Sequence, residues 1–157
     1  MKSVLCVAFA LLPLLSPARA ATYEAVEGDR IIVLDGDTVA LPCKMPGRGC
    51  SERVRFPDID APEVFHPDCK EGLEQGLKAK ARLVQLIRGK VIYVERSGRR
   101  DIYGRTLAAL RVGSPSGLNA GMQLVREDLA RPWKAGRAAR EERQLYWCGP
   151  DAAPGSD

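Results

Sequence analysis

Five short segments rich in β-branched residues, one amphipathic helical segment between the third and fourth of them, and further helical patterning after the fifth predict an α+β chain. Its expected form is a five-stranded OB-fold β-barrel capped by about three helices.

In chain order, the N-terminus reads as an export signal. Lys2 supplies positive charge, Val4 to Leu15 is an apolar run of 12 residues, and Ala18-Arg19-Ala20 has the small-x-small form of a cleavage site. The run contains Pro13 and falls short of the roughly 20 apolar residues a membrane span needs. Cys6 stands too early in it for a lipoprotein cleavage site. The expected organisation is a signal peptide at 1–20, one domain at 21–149 and a disordered tail at 150–157. The product should be monomeric, periplasmic or secreted, and free of the membrane once the signal is removed.

Tyr23 to Leu41 is β-rich, with Ile31, Ile32 and Val33 leading to an Asp-Gly turn and then Thr38 to Leu41, which predicts a hairpin. Val54 to Phe56 forms a third short strand that Pro57 and Pro62 keep from extending. Asp68 with Glu71 three positions on predicts a capped helix carrying Leu73, Leu77, Ala81 and Val84 on one stripe up to a Gly89 stop. Val91 to Glu95 and Arg105 to Val112 are the fourth and fifth strands, joined by the polar turn "RSGRRDIYG". After the loop "GSPSG", Asn119 caps a helix with Met122, Val125 and Leu129 on its apolar stripe. Trp133 to Trp147 reads as helical and basic.

The formal net charge is +4, falling to +2 when Lys2 and Arg19 leave with the signal, which is too small to prove a polyanionic partner. Distribution says more. Arg96, Arg99, Arg100 and Arg105 form one cluster, and Arg126, Arg131, Lys134, Arg137, Arg140 and Arg143 populate the last third.

Four cysteines remain beyond the signal, and an even count in an exported chain favours two disulfides. Zinc is disfavoured, since no C-x-x-C pair occurs and His66 is the sole histidine. Of three connectivities we prefer Cys43 with Cys50, closing "KMPGRG", and Cys69 with Cys148, where the long loop would contribute about 4 kcal/mol.

The chemistry concentrates in three stretches. In "LDGDT", Asp35 and Gly36 suffice for the turn, and a further carboxylate at Asp37 is electrostatically unfavourable unless a positive charge stands beside it. In "IDAPE", Pro62 stiffens the backbone so that Asp60 and Glu63 can face one cavity. Oxygen ligands on irregular backbone suit a hard cation such as calcium, bound weakly at about 10⁻⁴ to 10⁻³ M. Arg55 and Arg105 complete the group, because guanidinium forks grip phosphate oxygens bidentately. Carboxylates that hold a cation beside such arginines are what phosphodiester cleavage requires.

As a set, "DGDTV", "RFPDIDAPE", "DIYGR" and "LVREDLA" resemble the thermonucleases, the staphylococcal-nuclease-like family, over about Val33 to Ala130. The resemblance implies an OB-fold and calcium-dependent hydrolysis of DNA and RNA to 3′-phosphate ends. It implies Asp37, Asp60 and the Ala61 carbonyl as calcium ligands, Glu63 as general base or water-positioner, Arg55 and Arg105 on the scissile phosphate, and Tyr103 on a nucleotide phosphate. Pro57-Asp58, Ile102 and Asp128 depart from the family pattern, Asp128 standing where a glycine is common. Asp58 is expected to face solvent, His66 to have no role, and Trp133 and Trp147 to serve the core or shield a disulfide rather than stack bases. The alternative reading is an OB-fold module that binds nucleic acid without cutting it.

Overall fold

The computed structural model describes residues 22–43 and 50–150. The expected signal, the whole "KMPGRG" loop and all but the first residue of the expected tail lie outside these. Strands β1 (Tyr23–Glu27), β2 (Ile32–Val33), β3 (Thr38–Pro42), β4 (Ser51–Arg55), β6 (Val91–Arg100) and β7 (Thr106–Val112) form one curled sheet in the order β1-β6-β7-β4-β3-β2. A short strand β8 (Leu118–Asn119) pairs with β7, and β5 (Ile59–Asp60) pairs separately with β9 (Arg131–Pro132). The helices are α1 (Lys70–Ile87), α2 (Ala120–Arg126) and α3 (Arg137–Cys148).

The two ends of the sheet path, β1 and β2, are halves of one segment bent by a 3-10 turn at Gly28–Arg30. One half pairs with β6 and the other with β3, so chain continuity closes the curl and the predicted five strands are recovered. The OB-fold is thus the architecture, with β4 and β7 as its parallel pair. A sequence run that reads as a continuous β segment from Tyr23 conceals the bend, because only pairing to two different neighbours reveals it.

The core holds Val39, Leu41, Val54, Ile92, Val94 and Leu110 from the sheet against Leu83 and Ile87 of α1 and Leu124 of α2, all at most 2% exposed. These are alternating strand positions, facing one side of the pleat. Arg96 on β6 ties the outside together: its guanidinium reaches Glu24 of β1 at 2.7 Å and Glu52 of β4 at 2.8 Å, and Thr106 donates to Glu52 at 2.6 Å. The arginine cluster read from the sequence is therefore divided, since Arg96 is committed to acids.

Several element expectations need correction. The α1 N-cap is Cys69, whose sulfur accepts from the Gly72 N–H at 3.1 Å, not Asp68. Its buried stripe runs Gly72, Gly76, Ala79, Leu83, Leu86 and Ile87, while Leu77 is 48% exposed and Ala81 faces solvent. Glycine and alanine supply the first half of this face because the helix there lies too close to its neighbours for larger groups. A Cβ on Gly76 would stand 2.7 Å from the Pro62 carbonyl oxygen. Strand β6 continues through Arg100 with a register shift after Arg96, so the second hairpin turn is confined to the "DIYGR" residues. On α2 the deeply buried residues are Ala120, Gly121 and Leu124, while Met122, Val125 and, past the helix end, Leu129 are only partly buried. Trp133 precedes α3 and is 50% exposed, so it serves no core.

Both preferred disulfides are present, Cys43–Cys50 and Cys69–Cys148, with Cα separations of 5.5 and 5.8 Å. The second joins the start of α1 to the end of α3. Among the described residues no helix is long and apolar enough to cross a membrane.

Candidate active site

The β2–β3 turn is built by the Leu34 and Asp35 N–H groups, which donate to the Thr38 carbonyl at 3.0 and 3.2 Å. Gly36 is needed there for space rather than for a left-handed conformation. A Cβ on it would meet the Ala61 and Ala79 methyls at 2.6 and 2.7 Å. Turn, "IDAPE" loop and helix α1 thus converge on one glycine, and two distant acidic stretches become neighbours.

Asp37 accepts from the Thr38 hydroxyl at 2.8 Å and from the Ala61 N–H at 3.1 Å, a bond that fastens the second loop to the first. Arg55, at the end of β4, lies between them. Its Nη1 is 2.7 Å from Asp37 Oδ2 and its Nη2 is 2.9 Å from Asp60 Oδ1, and Nη1 also donates to the Phe56 and Ile59 carbonyls. The Asp60 Oδ2 atom meets Arg143 Nε of α3 at 2.5 Å.

Arg105 is set by Asp101 at the other end of the hairpin turn. The Asp101 carboxylate takes the Arg105 backbone N–H at 2.8 Å and its Nε at 2.6 Å, and also the Tyr103 N–H at 3.0 Å. Gly104, at φ 77°, lets the turn close. The Arg105 guanidinium lies 5.4 Å from the Tyr103 ring centroid, with Tyr103 itself exposed.

Arg55, Asp60, Ala61, Glu63, Tyr103 and Arg105 line one cleft of about 790 Å³, with Arg99, Arg100, Trp133, Arg140, Arg143 and Trp147 along its rim and far wall. Asp37, 4% exposed, stands one ion pair behind this wall. Asp37, Arg55, Asp60, Ala61, Glu63, Tyr103 and Arg105 are brought to one region. His66 also borders the cleft, and Asp58 faces solvent as expected.

Burial pushes the Asp35 carboxyl up to about 7, with the charge of Asp37 adding to it. Burial raises Asp60 as well, and Arg143 is the strongest charge opposing that rise. Glu63 moves upward from desolvation first and Asp37 second, tempered by solvent because the residue is exposed. Burial and mutual repulsion thus both oppose ionisation of these acids, and the neighbouring arginines favour that of Asp60 and Glu63. Among the described residues no three His, Cys, Asp or Glu side chains form a complete metal cage. Carboxylate oxygens such as those of Asp37 and Asp60 are the donor type a hard cation takes, but here they are engaged by the Thr38 hydroxyl, the Ala61 N–H and the Arg55 and Arg143 guanidiniums, so a cation would have to displace some of these.

Sequence reasoning missed Asp101 and Arg143. The first lies inside a quoted motif and carries the (i, i+4) spacing to Arg105, a signal that was available. The second is 83 positions from Asp60, a separation at which one sequence carries no pairing signal.

The chain matches the staphylococcal nuclease homologue family over residues 53–151. It is 34% identical over 120 residues to endonuclease YhcR of Bacillus subtilis (strain 168), an alignment covering 73% of this chain and 9% of that relative's length.

Proposed function

The chain belongs to the staphylococcal nuclease homologue family, and from that premise we propose that it is an exported, calcium-dependent nuclease. It would hydrolyse phosphodiester bonds of DNA and RNA with little sequence specificity and leave 3′-phosphate ends. The observation that supports this reading is the shared cleft, which Arg55, Glu63 and Arg105 all line.

Arg105, oriented by Asp101, presents its remaining N–H groups to a phosphoryl oxygen, and Arg55 covers the other side. Charge that accumulates on the phosphoryl oxygens in the transition state is stabilised by such fixed donors. Glu63 is the one acid of the group exposed to solvent, which suits it to orient a water or take its proton. Tyr103, exposed at the hairpin tip, contacts a neighbouring phosphate. Asp37, Asp60 and the Ala61 carbonyl would hold the calcium ion. That ion, when bound, supplies Lewis-acid polarisation of the phosphoryl oxygen.

Two disulfides suit an oxidising compartment, in line with residues 1–20 as a cleaved signal and 21–149 as the working domain. Incubating the protein with plasmid DNA and with RNA, in calcium and in chelator, tests the reading. We expect cleavage of both with calcium and loss of it in chelator. Binding without cleavage in calcium would identify the non-catalytic module instead.

A further inference from the structure

Arg143 brings a third guanidinium to the acidic centre. Its Nε is 2.5 Å from Asp60 Oδ2 while Arg55 Nη2 holds Oδ1 at 2.9 Å, so both oxygens of one carboxylate are covered by positive groups. The Arg143 side chain is only 22% exposed, and its Nη1 donates to the Lys134 carbonyl at 3.2 Å, which fixes the direction from which it approaches.

Helix α3 delivers this arginine with little packing of its own. Ala139 is its buried residue among those described, and three of its charged residues pair towards solvent, Glu142 with Lys134 and Arg137 with Glu141. The helix is kept in place by the Cys69–Cys148 bond and by Arg131 lying 4.3 Å from the Tyr146 ring centroid. A covalent tie thus holds an otherwise lightly anchored helix where one arginine reaches Asp60 and borders the same cleft.

We propose that Arg143 is a positioning arginine that competes with the cation for Asp60 and, when the cation holds that carboxylate, turns to the phosphodiester backbone in the cleft. The inference rests on the proposed cation site. A positive group on a ligand oxygen opposes a divalent ion through charge and through occupancy of a lone pair. The same group facing the cleft favours a polyanion. Arg143 therefore weakens cation binding and strengthens substrate binding, opposite signs that a purely structural residue would not produce.

Calorimetric titration of calcium into the substrate-free wild type, Arg143→Gln, Arg143→Met and Arg143→Lys proteins tests the first half. Steady-state KM and kcat on single-stranded DNA at saturating calcium test the second. Both neutral variants should bind calcium about three- to tenfold more tightly, the range expected of one partly buried charge pair, while KM rises and kcat changes less. Arg143→Lys, which keeps the charge, should return both values toward wild type. Unchanged or weaker calcium binding in the neutral variants, with thermal melts like wild type, overturns the proposal. If either neutral variant fails to fold, the other decides. Absence of calcium binding to the wild type would overturn the cation site itself, a result distinct from binding that is indifferent to residue 143.

Discussion

At the scale of single residues, position within a motif and position in space diverge in instructive ways. Asp60, Glu63, Arg55 and Arg105 were legible because each belongs to a short polar stretch whose charge needs a reason. Asp101 needed only the (i, i+4) spacing to be seen, whereas Arg143 could not be found before the fold brought α3 to Asp60. If Glu63 is the general base, Glu63→Gln should slow turnover by about 10²- to 10⁴-fold while the fold stays intact. A wild-type rate constant in the purified variant removes it from that role. Asp128 is the one non-glycine residue with positive φ among those described, at 56°, in the position where the family commonly has glycine. The left-handed conformation costs a side-chain-bearing residue up to about 1–2 kcal/mol, less for aspartate. Asp128→Gly should therefore raise stability by up to about 1 kcal/mol in denaturant titration. A lowered midpoint would show that the aspartate contributes a compensating contact.

At the scale of elements, helix α1 is the clearest case of pattern and packing disagreeing. Spacing chose Leu73, Leu77, Ala81 and Val84 as the buried stripe. In its first half the helix instead turns Gly72, Gly76 and Ala79 inward, because the Cys69–Cys148 disulfide, the Pro62 carbonyl and the Gly36 turn respectively approach too closely for anything bigger. Apolar periodicity reports which residues could be buried, while the distance to the neighbouring backbone decides which are. The contrast is measurable by thermal or chemical unfolding. Leu83→Ala should cost about 2–5 kcal/mol as a core truncation, whereas Leu77→Ala, at 48% exposure, should stay within about 0.5 kcal/mol. Equal losses in the two variants would mean that the stripe was assigned wrongly here.

At the scale of the whole molecule, barrel closure depends on groups far apart in sequence. Arg96 joins Glu24 and Glu52 across three strands, and its hydrogen bonds hold the Glu52 carboxyl below its ordinary value near 4.5. A carboxylate depressed in the folded state contributes stability that is fully present above that ordinary value and is lost as pH falls through the folded one. Glu52→Gln should thus lower stability at neutral pH and flatten the loss seen on acidification below about pH 4.5. An acid limb identical to wild type in a pH series of unfolding curves would remove Glu52 from this role. The same long-range logic holds the cleft, whose walls come from the "IDAPE" loop, the second hairpin and α3.

Strand and turn chemistry, cysteine parity and the four polar motifs let sequence alone determine the barrel class, the family and part of the cleft lining, because each of those signals is carried by neighbours along the chain. Tertiary structure alone decided that the first β segment bends to pair on two sides, that small residues line α1, and that Arg96 is withdrawn from the basic surface while Arg143 is brought to Asp60. These outcomes depend on distances between segments tens of residues apart, which pairing and packing set and local composition does not encode.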